Sequence, residues 1–289
     1  MRLVWVFGLM LGLASVALPQ DVNTAASLPY NFVDGMVWSS PGGADLAADL
    51  YLPKGAGPFP VVLYVHGGGW TSGDRKQLRR QAADLAAKGI AGVAIEYRLS
   101  PKYSYPAALY DAKAAVRWIR VNAAKYHFDA SRIVAAGSSA GGHLAMLLGL
   151  TSGDPKYDGD GCCTGVSSGV SGVVAFNPVL DLTETGHGET MVQKFLGFAC
   201  QENLAVCKDA SPTYHAHATK IPFLILHGTA DQMVPYRDAA DMTAKLKQAG
   251  ANATLFTAEG GAHTFWANKL WYTPTLERME GFLASVFQR

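Results

Sequence analysis

The chain has 289 residues, of which 49% are hydrophobic and 16% charged. That is enough apolar material for one large α/β domain and too much for a largely disordered chain. The formal net charge is +1 with Lys and Arg scattered, so no polyanionic partner is expected, and no nucleic acid.

In chain order, Arg2 precedes an apolar run over residues 3–18, followed by small residues at Ser15-Val16-Ala17 and Ala25-Ala26. This pattern predicts a secretory signal peptide over residues 1–20, with a boundary as late as about 26. A catalytic domain over 27–289 would remain, secreted or periplasmic. The run is short for a spanning helix, so no stable membrane span is expected after cleavage.

Residues 31–38 and 46–52 alternate around Pro41-Gly42-Gly43, which predicts an antiparallel hairpin. Residues 61–65 are continuously apolar, as in a strand buried on both faces. A helix over 77–88, closed by Gly89, leads to a strand over 90–96. Pro106 suits the first turn of an amphipathic helix reaching about residue 125. Then come a strand at 133–136, an apolar helix at 140–150, strands at 172–176, 223–226 and 253–256, and helices at 238–248 and 275–287. Alternating strands and helices imply a mainly parallel sheet covered on both faces. Two irregular stretches, 151–171 and 181–219, read as a modest loop or cap insertion within one domain.

The sharpest local feature is Gly137-Ser138-Ser139-Ala140-Gly141, a G-x-S-x-G string between a buried strand and a helix. A nucleophile elbow needs that strand–turn–helix setting, and Ser139 is in the nucleophile's register. Upstream, His66-Gly67-Gly68-Gly69-Trp70 follows the strand at 61–65. Backbone N–H groups of Gly67 and Gly68, with that of Ala140, are expected to hold an oxyanion, each such donor being worth about 3 kcal/mol. No Lys-Ser/Thr follows the glycines, which excludes a phosphate-binding loop of that type.

A serine hydroxyl needs a base, and the base an orienting acid, in the chain order Ser, Asp or Glu, His. Asp231 follows the apolar run 223–226, and His263 stands in a Gly-rich loop after the next strand. Glu259 is the rival acid. His227, at a strand end, reads as structural. Trp70, Phe265 and Trp266 adjoin these loops and are the candidate substrate-binding aromatics, with Tyr103 and Tyr105 nearby.

The four cysteines, Cys162, Cys163, Cys200 and Cys207, are an even count that suits an oxidising compartment. Direct neighbours seldom bridge, so either Cys200–Cys207 or crossed bridges between the two pairs are expected. Their spacing does not match zinc ligands, and His215-Ala216-His217 lacks nearby partners. Neither a metal nor a cofactor is expected.

Taken together, the chain resembles the HGGG-type α/β-hydrolase esterases and lipases related to hormone-sensitive lipase. It is more similar still to the bacterial bifunctional feruloyl and acetylxylan esterases. The resemblance runs from about Ala48 to the C-terminus. It rests on His66 to Trp70 with Gly73-Asp74, on Glu96 to Pro101, and on Phe128 to Ile133. Ser139 to Leu144 and His227-Gly228 to Asp231 with Val234-Pro235 complete it. It implies the α/β-hydrolase fold, serine carboxylesterase activity, and support of the structure by Arg98 and Asp111. Ser138 departs from the Asp that many relatives carry before the nucleophile. The implied substrate is an ester, either a feruloyl or acetyl ester linked to polysaccharide or a small generic one. Amide hydrolysis on the same fold and a non-catalytic binding protein are the alternatives.

Overall fold

The computed structural model describes residues 28–159, 161–184 and 189–288. The expected signal peptide lies outside them. Eight strands form one sheet in the order β1-β2-β4-β3-β5-β6-β7-β8. The predicted hairpin is β1 (Tyr30–Ser39) and β2 (Leu46–Pro53), paired antiparallel. β2 runs antiparallel to β4 (Ala91–Ile95). From β4 onward every pairing is parallel, through β3 (Phe59–Val65), β5 (Phe128–Ser138), β6 (Gly172–Phe176), β7 (Phe223–Gly228) and β8 (Ala253–Ala258). This is the α/β-hydrolase fold.

The continuous apolar strands follow from burial on both faces. Val61, Leu63 and Val65 of β3 enter one core with α2 (Ala107–Val121), α4 (Ala140–Leu150) and α7 (Tyr236–Gln248). Val62 and Tyr64 enter the other, with α1 (Arg79–Ala86) and α8 (Tyr272–Phe287). Period-two alternation thus sends neighbouring side chains into opposite layers. The helix expected over 106–125 divides at Asn122, and its second part, α3 (Ala123–Tyr126), ends on a left-handed His127 with φ 57°. Among the described residues, no helix is long and apolar enough to cross a membrane.

The first irregular stretch is held by three cations on α2. Lys113 Nζ donates to the Thr151 carbonyl (2.7 Å), and Arg117 donates to the carbonyls of Asp158 (2.7 Å) and Cys162 (2.8 Å). Arg120 reaches the carbonyls of Ser167 and Gly169, both at 2.6 Å. Lys113 is fully buried, and burial pulls its ammonium below the ordinary lysine range against the attraction of Asp158. The expected local bridge Cys200–Cys207 is present, and the expectation against direct neighbours needs correction. Cys162 and Cys163 are bonded to each other, at a turn where Cys163 is left-handed (φ 64°) and Arg117 anchors the Cys162 carbonyl. That turn lets two adjacent thiols face one another, which the general rule against neighbours did not allow for. Cys200–Cys207 is the second bridge, closing a local loop around α6 (Leu204–Asp209). No bridge crosses between the pairs.

Candidate active site

The elbow is built by close approach rather than by glycine's access to unusual dihedrals. Gly137 and Gly141 lack positive φ, but a Cβ on Gly137 would lie 2.3 Å from the Gly141 carbonyl oxygen. One on Gly141 would lie 2.1 Å from that of Val65. The left-handed residue is Ser139 itself, at φ 53° and ψ −120°, directly before α4. That strained turn lifts the hydroxyl off the end of β5.

Ser139 Oγ lies 3.0 Å from His263 Nε2, and His263 Nδ1 lies 2.7 Å from Asp231 Oδ2. The three residues that sequence order nominated therefore form one hydrogen-bonded chain. Asp231 is saturated with donors. Its Oδ1 accepts the N–H groups of Met233 (2.9 Å) and Val234 (3.0 Å), while His227 Nε2 stands 3.3 Å from Oδ2. Burial alone would raise this carboxyl, but hydrogen bonds from His227, His263 and Val234 hold it well below the usual carboxylate range. His227 Nε2 is also 3.0 Å from the Val234 carbonyl, so its one N–H is shared unequally, with Asp231 the longer contact. Glu259 is exposed and accepts from Thr229 instead, which leaves Asp231 as the partner of His263.

The glycine loop is arranged differently from the expectation. The Gly67 N–H is already committed, donating to Gln77 Oε1 at 2.6 Å, and Gly67 does not line the cavity. A single N–H makes one good hydrogen bond, so Gly67 is not available to an oxyanion. Gly68 (φ 115°) and Gly69 (φ 58°) both have positive φ and line the cavity. A Cβ on Gly68 would lie 2.2 Å from the Ser72 carbonyl oxygen. Among the described residues, the N–H groups of Gly68 and Gly69 have no protein partner. Ala140, the first residue of α4, likewise has no intrahelical acceptor for its N–H and lines the same cavity.

That cavity has a volume of about 350 Å³. Val179, Met191 and Trp266 give it apolar surface, while Asp181, Glu184 and Asp238 are acidic. Of the three nominated aromatics, Trp70 and Trp266 line it and Phe265 does not. Phe265 is a correction: its ring is buried in the α1/α8 core, edge-on to Trp271. Tyr103 and Tyr105 do not line the cavity either, and Tyr105 donates to Asp209 (2.9 Å). Trp70 is almost wholly buried, stacked on Phe195 of α5 (Glu189–Leu196) at 4.5 Å between centroids. Its Nε1 donates to His143 Nδ1 (3.2 Å), and His143 Nε2 donates to the Ala210 carbonyl (2.7 Å). Burial pulls His143 down to about 4, so it is neutral near pH 7.

Sequence reasoning missed Asn177. It follows β6, is buried at φ 39°, and places Nδ2 within 3.3 Å of both ring nitrogens of His263. Trp266 Nε1 can only donate, and it donates to Asn177 Oδ1 (2.9 Å), which fixes the amide's orientation. Its position at the carboxyl end of a central parallel strand was the available signal. Gln77 carried none, because its partners lie 10 and 61 residues away.

A model of the BD-FAE family, which is bifunctional feruloyl/acetylxylan esterase-like, matches residues 48–246. The chain belongs to the BD-FAE family. Among curated relatives of this BD-FAE member, esterase LipQ of Mycobacterium tuberculosis is 33% identical over 235 residues, 77% of this chain and 55% of LipQ. Esterase LipC of the same organism is 33% identical over 66% of this chain and 49% of LipC. The chain thus spans about half the length of the curated relatives it matches. A solved structure, the apo form of Thermogutta terrifontis esterase 2, has a TM-score of 0.76 at 32% identity. That alignment covers 88% of this chain and 94% of the esterase. The resemblance read from the motifs is therefore shown at the level of family and fold.

Proposed function

We propose that this BD-FAE member is a carboxylic ester hydrolase that works through an acyl-enzyme on Ser139. The observation that carries the reading is the unbroken chain Ser139–His263–Asp231 beside a cavity lined by Gly68, Gly69 and Ala140, whose backbone N–H groups have no protein partner among the described residues. His263 Nε2 accepts the Ser139 proton as Oγ attacks the ester carbonyl. Asp231, ionised, holds the Nδ1–H tautomer and stabilises the imidazolium. The developing oxyanion lies among the N–H groups of Gly68, Gly69 and Ala140, where fixed dipoles stabilise charge without reorganising. His263 then returns its proton to the departing alcohol, and water, activated by the same base, releases the acid.

The substrate is an ester with a short or aromatic acyl group. The cavity volume, the family match and esters of plant cell-wall polysaccharide such as feruloyl or acetyl groups are mutually consistent. The Thermogutta esterase has been solved with propionate and with butyrate, which favours short acyl chains. The apolar leader and the two cysteine bridges favour action outside the cytoplasm. Hydrolysis of p-nitrophenyl acetate, abolished by Ser139→Ala, tests the activity. A panel of methyl ferulate, acetylated xylan and p-nitrophenyl esters of increasing length tests the substrate. A folded parent enzyme inactive on every short acyl ester would defeat the reading.

A further inference from the structure

One side-chain oxygen joins the two halves of the candidate oxyanion site. Gln77 Oε1 accepts the Gly67 N–H at 2.6 Å and the Ser138 hydroxyl at 2.7 Å. Gly67 belongs to the glycine loop, and Ser138 precedes Ser139 in the elbow. Both bonds run to the same oxygen, from partners that act as donors there, so the amide can take only one orientation. The loop and elbow are otherwise held by packing: a Cβ on Gly67 would lie 2.8 Å from the Ser138 carbonyl oxygen. Gly67 and its neighbour are fixed on their other polar atoms too. His66 Nδ1 is 2.7 Å from the Gly67 carbonyl, and Tyr97 OH donates to the His66 carbonyl at 3.0 Å. The Gly67 N–H and carbonyl and the His66 carbonyl are therefore all engaged with other groups, while Gly68 and Gly69 line the cavity.

We propose that Gln77 is a positioning residue for ester hydrolysis, registering the Gly68 and Gly69 N–H groups against that of Ala140 by clamping Gly67 and Ser138 on one oxygen. This role presupposes the ester hydrolysis proposed above. Oxyanion donors act only when they lie within hydrogen-bond reach of the charge that develops in the transition state. A loop that relaxes by a fraction of an ångström therefore loses rate while still binding the neutral substrate. The clamp explains two features that the motif alone does not. A serine is tolerated before the nucleophile because its hydroxyl has a dedicated acceptor. The first glycine of the run is spent on structure.

The test uses the full protein with Gln77→Met, which keeps the side chain's length and removes the acceptor, and Ser138→Ala, which removes one arm of the clamp. Three quantities are read: kcat and KM for p-nitrophenyl acetate, the second-order rate of inactivation by paraoxon, and the melting temperature. In the paraoxon reaction Ser139 Oγ bonds to phosphorus, p-nitrophenolate leaves, and His263 takes the serine proton, so that rate also depends on the oxyanion donors. Gln77→Met is expected to lower kcat and the paraoxon rate together by roughly 10- to 100-fold with KM within about 2-fold. Ser138→Ala is expected to lower both by several-fold, since the Gly67 arm survives. A Gln77→Met enzyme that melts like the parent and keeps kcat within about 2-fold overturns the proposal, as does a loss confined to KM. If Gln77→Met does not fold, Ser138→Ala decides, and an unchanged kcat there overturns it. A parent enzyme inactive on all esters would instead defeat the function proposed above, so the two failures are distinguishable.

Discussion

The elbow with its glycine loop and the segment between α4 and β6 are held together in opposite ways. In the former, backbone meets backbone: Gly141 lies under Val65, Gly137 under Gly141, and Gly68 over Ser72, at distances that admit no side chain. In the latter, long side chains reach across to loop carbonyls, as Lys113, Arg117 and Arg120 do from α2. The former tolerates no change in shape and sets the chemistry. The latter is a side-chain scaffold, and among its described residues none between 151 and 169 lines the cavity. Damage to the first is expected to appear in kcat or in folding itself, and damage to the second mainly in stability.

The largest effect is expected at the acid. Asp231→Asn removes the ion that orients His263 and should lower kcat on p-nitrophenyl acetate by about 10⁴-fold, with the fold intact by circular dichroism. Glu259→Gln should stay within about 2-fold, since Glu259 bonds Thr229 rather than His263. Next, Gly141→Ala places a Cβ on the Val65 carbonyl and should cost about 3–5 kcal/mol in urea unfolding. A loss under about 1 kcal/mol would show that the backbone frame can yield, and the contrast between the regions would fail.

A third effect comes from His143, which links Trp70 of the loop to Ala210 beyond the insertion. Its folded value is pulled by burial from 6.5 down to about 4. Below pH 6.5 the unfolded chain therefore takes up a proton that the folded protein refuses. The stability is complete above pH 6.5 and is lost as pH falls toward 4, at up to about 1.4 kcal/mol per pH unit from this group. Melting temperatures across that window should fall, and His143→Gln, which cannot titrate, should flatten the slope. A parent profile flat between pH 6.5 and 4.5 would contradict the buried neutral imidazole. The smallest effect belongs to the insertion. Arg117→Met should cost about 2 kcal/mol in unfolding free energy, from the lost bonds to the Asp158 and Cys162 carbonyls. Its kcat should remain within a few-fold of the parent.

The same contrast explains what was legible in the sequence. The order of strands and helices and the meeting of Ser139, Asp231 and His263 could be read because local pattern and chain order carry them. Gly67 was misassigned because its N–H is claimed by Gln77 across a turn, and no spacing rule encodes that contact. Phe265 adjoins His263 in sequence, but the short helical turn at Phe265–Ala267 sends its ring into the core while Trp266 lines the cavity. The Cys162–Cys163 bridge depends on a left-handed turn anchored by Arg117, 45 residues away. Asn177 was detectable in principle from its place after β6, but its residue type alone suggested only a turn. What failed to be legible was long-range side-chain contact.

Covalent trapping tests Ser139 as the nucleophile. The protein would be treated with paraoxon, digested, and the modified peptide located by mass spectrometry. One diethylphosphoryl group per chain is expected, on the peptide containing Ser139, with loss of esterase activity in proportion to labelling and no label in Ser139→Ala. Stoichiometric labelling at another residue, or full labelling of Ser139→Ala, would contradict that assignment.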